Sequence, residues 1–138
     1  MKAVRFAGFA GFAWLAWFGW LVPGGAYLLM RRYPQFVGFA VLVSATFAAG
    51  LALHGGYQWP QPAELRGLDT FTVLFFKAGA LAKPLAGGPF LLARFFDGGP
   101  GFLDGRLHEY GTTLLALAGI FNLLALSDAL ALRKAEPR

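Results

Sequence analysis

From Gly111 to Leu132 the chain runs for twenty-two residues with a single formal charge, Asp128, close to the far end. At about 1.5 Å per residue, a helix of that length extends roughly 33 Å, enough to cross a hydrocarbon layer of about 30 Å. The run opens on His108-Glu109-Tyr110 and closes on Arg133-Lys134, so polar residues punctuate both ends of an apolar rod. Within it Gly111, Leu115, Ala118, Asn122, Ala125 and Ala129 recur at spacings of four, three, four, three and four. At about 100° per residue they form one stripe about 80° wide, mostly small, with an amide in the middle. Small residues let two backbones approach closely in lipid, and Asn122 can hydrogen-bond across the contact. The spacing predicts a membrane helix whose packing face is Gly111, Ala118, Asn122, Ala125 and Ala129.

The remainder of the chain fits that setting. Of 138 residues, 57% are hydrophobic and only 14% charged, where a soluble domain carries nearer a quarter charged. No cysteine is present, which excludes disulfides, thiolate metal sites and cysteine nucleophiles. The net charge of +5 arises from basic residues that flank apolar runs. That pattern points to membrane lipids as partners and not to nucleic acid.

Lys2 and Arg5 precede an apolar run from Phe6 to Val22, which ends at Pro23-Gly24-Gly25. A basic start and an apolar middle also describe a secretory signal. The bulky Trp14, Trp17 and Trp20 fall where a cleaved signal carries small residues, so the segment is expected to be retained as a span. Arg31-Arg32, with Tyr27 and Tyr33 beside them, read as a positively charged anchor at headgroup level. The same pair, next to glycine amides, is a candidate contact for a lipid headgroup or anion. A second uncharged run covers Phe36 to Leu53. His54 follows at its exit. Histidine is the usual nitrogen donor to haem iron or a pigment magnesium, but an interfacial histidine is the commoner case.

The third apolar stretch, Thr70 to Phe96, is interrupted by Lys77, Lys83, Pro84 and Gly87-Gly88-Pro89. A lysine at mid-bilayer costs about 2.5–3.5 kcal/mol on insertion scales. Either both lysines snorkel, or the backbone breaks near residues 83–89 and they reach water. Lys77 is close enough to the start of the run to snorkel. Lys83 is not, and it is the candidate functional charge inside the membrane. No internal repeat is visible on this reading.

No zinc signature, phosphate loop or dinucleotide fingerprint occurs, and no nucleophile–base pair can be named, so no enzyme, metal or cofactor is expected. Two stretches are familiar. Trp20-Leu21-Val22-Pro23-Gly24-Gly25-Ala26-Tyr27-Leu28 with Arg31-Arg32 resembles the first helix and turn of small bacterial membrane proteins. Glu109-Tyr110-Gly111-Thr112-Thr113, Ala118-Gly119-Ile120-Phe121-Asn122-Leu123-Leu124 and Asp128-Ala129 resemble the closing helix of an uncharacterised bacterial multi-pass family of unknown function. Gly25-Ala26 stands where those proteins commonly have glycine-histidine, so no role for that histidine carries over. The resemblance implies shared helix packing and no activity.

The expected architecture is an all-α integral membrane protein, one domain over residues 1–138. Four spans are expected near 6–24, 36–54, 70–95 and 110–132, the third broken or irregular. Four crossings place both termini on one face, with Lys2, Arg5, Arg66, Arg133, Lys134 and Arg138 against Arg31, Arg32, Arg94 and Arg106. That split favours cytoplasmic termini in a bacterial inner membrane. The expected function is a non-catalytic accessory subunit of a larger membrane complex, such as a respiratory or photosynthetic one. Its partners would be lipids and other integral membrane subunits. The alternative is a small transporter or lipid-handling protein using Lys83 and Asn122.

Overall fold

The computed structural model of the protein describes residues 9–56, 59–60, 62–63, 65–96 and 106–135, and among them every regular element is helical. In chain order these are α1 (Phe9–Leu21), α2 (Gly25–Leu29), α3 (Tyr33–Ala52), α4 (Thr70–Ala82), a 3₁₀ turn (Lys83–Ala86), α5 (Gly88–Phe96) and α6 (Arg106–Ala135).

The frame is an antiparallel pair, α3 and α6. Where α3 ends and α6 begins the two backbones touch. A methyl group added at Gly111 would lie 2.7 Å from the Gly50 carbonyl oxygen, and one added at Gly50 would lie 2.9 Å from the Gly111 carbonyl oxygen. Further along, Val43 and Phe47 of α3 share a core cluster with Leu115 and Ala118 of α6. Only glycine and small residues on both sides let helix axes come this close.

Neither of the other two apolar stretches runs straight through. α1 stops at Leu21 because Pro23 lacks an N–H and disfavours helical geometry in the residue before it. Gly24 then takes a left-handed φ of 73°, and Gly25 opens α2, which heads back the way α1 came. The return is visible in the packing. Trp20, at the end of α1, is level with Asn122 in the middle of α6, whereas Leu15, Tyr27 and Ala129 share one cluster nearer its C-terminus. Residues 9–29 thus form a hairpin that enters and leaves at the end where α6 stops.

The second hairpin is its counterpart. α4 ends against the middle of α6, its Ala82 carbonyl so close that a methyl group on Gly119 would lie 1.7 Å away. The 3₁₀ turn follows, Gly87 takes a left-handed φ of 70°, and α5 runs beside the C-terminal half of α3, from Ser44 to Leu51. Its flanking connectors join the end of α3 to α4 and the end of α5 to the start of α6. From the middle of α6 the first break therefore returns the chain to the end where α6 stops, and the second sends α5 toward the end where α3 stops.

The opposition is written in the sequence. Gly24-Gly25-Ala26-Tyr27-Leu28-Leu29-Met30-Arg31-Arg32-Tyr33 and Gly87-Gly88-Pro89-Phe90-Leu91-Leu92-Ala93-Arg94-Phe95-Phe96 share Gly-Gly, Leu-Leu and Arg in register, with aromatics at the fourth and tenth places. In each copy the first glycine is left-handed, the second begins a helix, and the first aromatic is buried. The expectation of no internal repeat is thus wrong: the chain carries a break motif twice, in inverted orientation.

The expectation of four spans needs a coarser statement. Two helices, Tyr33–Ala52 and Leu107–Ala135, are long and apolar enough to cross a membrane. α1 has thirteen residues, about 20 Å, and the third stretch is split by the 3₁₀ turn. Residues 6–8 of the expected first span lie outside the described residues. Only 17% and 33% of the apolar windows of the two long helices is buried, unlike core helices of a soluble fold. Phe71 is 77% exposed and Phe95 84% exposed.

The charge split also changes. Arg31 and Arg32 follow Met30, which packs in the same cluster as Leu132, so they stand at the end of the molecule that carries Arg133 and Lys134 and not opposite it. The expected split counted the first stretch as a crossing, and the hairpin returns the chain instead. Lys2, Arg5 and Arg138 of that split lie outside the described residues.

Candidate functional site

The two breaks converge on Asn122. Both leave backbone carbonyls without helical partners. The Trp20 carbonyl would look to residues 23 and 24, but Pro23 has no N–H and Gly24 has turned left-handed. The Leu85 carbonyl would look to residue 89, which is Pro89. The Asn122 amide supplies both: Nδ2 donates to the Trp20 carbonyl at 3.0 Å and to the Leu85 carbonyl at 2.9 Å. A third bond closes the junction, from the Trp20 indole Nε1–H to the Pro84 carbonyl at 3.0 Å. Asn122 is 1% exposed, and its Oδ1 has no hydrogen-bond partner among the described residues. One amide on α6 therefore bolts the turning points of both hairpins, and the indole ties them to each other.

Lys83 sits in this junction and is 5% exposed. The junction is closely packed around the glycines. A methyl group at Gly87 would lie 1.7 Å from the Trp20 carbonyl oxygen, and one at Gly88 would lie 2.4 Å from that of Leu21. The remaining stripe residues, Gly111, Ala118, Ala125 and Ala129, are buried along the same face of α6. An open apolar groove of about 540 Å³ lies elsewhere, between α3 and α5, lined by Phe47, Leu51, Pro89, Leu92 and Phe96 with Ser44.

The end where α3 stops holds a separate polar set. His54 has a left-handed φ of 56° and an exposed ring. Its carbonyl lies 2.7 Å from Nδ1 of His108, a spacing that calls for a proton on that nitrogen. The Thr112 hydroxyl accepts from the Gly56 N–H at 2.9 Å. These bonds fasten the exit of α3 onto the first turn of α6. Among the described residues no three His, Cys, Asp or Glu side chains come together as a metal site. Asp69 caps α4: its carboxylate accepts from the Thr72 N–H at 3.1 Å and from the Thr72 hydroxyl. The hydroxyl bond first, and then the backbone bonds, hold its carboxyl below the ordinary aspartate range.

At the opposite end the buried Tyr27 phenol donates to the Asp128 carboxylate at 2.6 Å, and its ring stacks on Phe39 with centroids 5.4 Å apart. Arg31, exposed, has a left-handed φ of 58°.

Sequence reasoning placed Asn122 on a packing face but missed its partners. Trp20, Pro84 and the Tyr27–Asp128 pair were not singled out as functional. The signal available for them is the doubled Gly-Gly-x-aromatic-Leu-Leu motif, which marks both turning points.

Comparison with known proteins adds one result. The model of a family of unknown function, DUF6677, matches residues 14–137. The chain belongs to that family. No curated protein and no solved structure matches it.

Proposed function

We propose that this member of the DUF6677 family is a membrane-embedded, non-catalytic accessory subunit of a larger membrane complex. α3 and α6 cross the bilayer, while α1–α2 and α4–α5 dip into it from opposite faces. The observation that carries the reading is the use of Asn122. Among the described residues the amide nitrogen at the centre of the fold is wholly engaged by two backbone carbonyls, as is the nearby indole N–H by a third. Irregular backbone at membrane depth must be satisfied by protein groups, and these groups do that work. What faces outward is apolar and aromatic along α1, α4 and α5, including Trp14, Trp17, Phe75 and Phe96. Broad faces of that kind suit other membrane helices and lipid tails.

Purification in a mild detergent followed by native mass spectrometry tests the reading. Co-purifying integral membrane subunits are the expected result. A stable lone monomer with no companion protein would reject it.

A small transporter is the second reading, favoured by the inverted pair of broken helices with Lys83 and Asn122 at their meeting point. Inverted repeats whose discontinuous helices meet near the midplane are a recurrent transporter plan. The close backbone contacts at Gly87, Gly88 and Gly119 argue against an open path in this conformation. Lys83→Met separates the two readings: assembly unchanged and flux abolished in proteoliposomes selects the transporter, and unchanged flux ends it.

A further inference from the structure

We infer that the end of the molecule where α6 stops is a binding face for anionic phospholipid headgroups, built from Arg31, Arg32, Arg133 and Lys134. The inference rests on the membrane reading above and adds a lipid class and a place. Two stretches a hundred residues apart in sequence supply these four side chains, and the first hairpin brings them together. Met30 and Leu132 pack in one cluster around Tyr27 and Ala129, so the basic pairs that follow each stand at the same end, Arg31 and Lys134 exposed, Arg32 half-buried, and Arg133 half-buried with one guanidinium nitrogen inside. Asp128 is the acid of that end among the described residues, and it accepts from the Tyr27 phenol. The opposite end is mixed: Arg66, Arg94 and the start of α6 at Arg106 stand with Asp69 and Glu109.

The surroundings suit a bilayer surface. Tyr33 is exposed beside the arginine pair. An interfacial tyrosine with basic residues beside it matches the headgroup layer of an anionic leaflet. Arginine forks bind phosphate oxygens bidentately, and lysine adds a point charge. Each cation near an anionic surface contributes about fivefold in affinity.

The test reconstitutes the full chain into nanodiscs of phosphatidylcholine alone or mixed with phosphatidylglycerol, followed by native mass spectrometry of retained lipid. The wild type is expected to retain phosphatidylglycerol over phosphatidylcholine, and the preference should weaken as salt rises. Replacing all four with glutamine (R31Q, R32Q, R133Q, K134Q) should abolish the preference. Removing Arg66 and Arg94 (R66Q, R94Q) should leave it intact. Free inorganic phosphate should not displace the lipid; displacement by phosphate would show a soluble-anion site and overturn the lipid assignment. Equal retention of both lipids by the wild type would overturn the inference and leave the membrane reading standing. Failure to enter either disc would overturn both. The salt and lipid comparison on wild type alone decides the matter if the fourfold variant does not fold.

Discussion

The phenol of Tyr27 donates to the carboxylate of Asp128 across 2.6 Å, joining residues that lie 101 positions apart. Tyr27 is fully buried while Asp128 is exposed. The bond marks where the first hairpin has returned to the end of α6, and it makes the two partners unequal under mutation.

That inequality gives an ordering. Tyr27→Phe removes the donor together with its need for a partner and keeps the stack on Phe39, so the loss should be about 0.5–1.5 kcal/mol. Asp128→Ala leaves the phenol buried and unpaired, which costs about 1–3 kcal/mol. Thermal unfolding in detergent should therefore show the larger drop for Asp128→Ala. The reverse order would mean that water reaches the phenol.

The two left-handed glycines should behave as equivalents of one motif with different severity. Alanine at Gly24 meets an unfavourable φ and the Phe36 carbonyl at 3.0 Å; at Gly87 it meets the same φ and the Trp20 carbonyl at 1.7 Å. Gly24→Ala should cost about 1–2 kcal/mol from backbone strain, and Gly87→Ala more, because backbone must also move. Gly79→Ala is the control. Its methyl group would meet nothing within 4 Å, and in a helix interior it should stabilise by about 0.5–1 kcal/mol. Equal melting temperatures for all three variants would contradict the junction geometry.

Asp69 makes the pH-dependent prediction. Its carboxyl is held below the ordinary range by the Thr72 hydroxyl and backbone N–H. A depressed folded value means that the cap supports α4 fully above the unfolded aspartate pKa, and that this support is lost as pH falls through the lower folded value. Hydrogen exchange at the Thr72 amide should thus remain protected through the mildly acidic range and open only below it. In Asp69→Asn, whose side-chain oxygen can still accept, the protection should no longer depend on pH there. A pH-dependent loss of protection persisting in Asp69→Asn would assign the effect to another group.

The seam on α6 is legible because a long helix buried along one face repeats its small residues every three or four positions, and Asn122 falls on that line. The breaks are legible too: Pro23, Pro84 and Pro89 each delete an N–H, and glycines stand beside them. What periodicity does not carry is the direction in which the chain leaves a break. Gly24 turns the chain back because its left-handed bend fits against Phe36, Phe39 and Ala40 of α3, a contact set by tertiary structure. Counting each apolar run as a crossing therefore yields four spans and places Arg31-Arg32 on the far side. The repeat is hard to see for a related reason. Glycine, leucine and aromatics are common throughout this chain, so the shared positions gain meaning only when both copies turn at the same depth of α6.

Asn122 offers the sharpest test of the junction, because its two near-isosteres fail for different reasons. Leucine removes the donor and leaves the Trp20 and Leu85 carbonyls without it, but also removes the unpartnered Oδ1. The expected loss is modest, since interhelical hydrogen bonds in membranes average about 0.6 kcal/mol each. Aspartate keeps the shape and replaces the donor nitrogen with an oxygen aimed at two carbonyl oxygens. Ionised, it aims oxygens at two carbonyl oxygens in the junction that also holds Lys83; protonated, it can donate to only one carbonyl. Either state should cost more than leucine, because at least one carbonyl oxygen is left facing another oxygen. Ala118→Leu should fall between them, because overpacking against Val43, Phe47 and Ala86 costs about 1–3 kcal/mol. Thermal stability should then decline in the order Asn122→Leu, Ala118→Leu, Asn122→Asp. If Asn122→Asp matched wild type, the amide nitrogen would not be the group that holds the two turning points, and the bolt would have to be sought in the Trp20 indole.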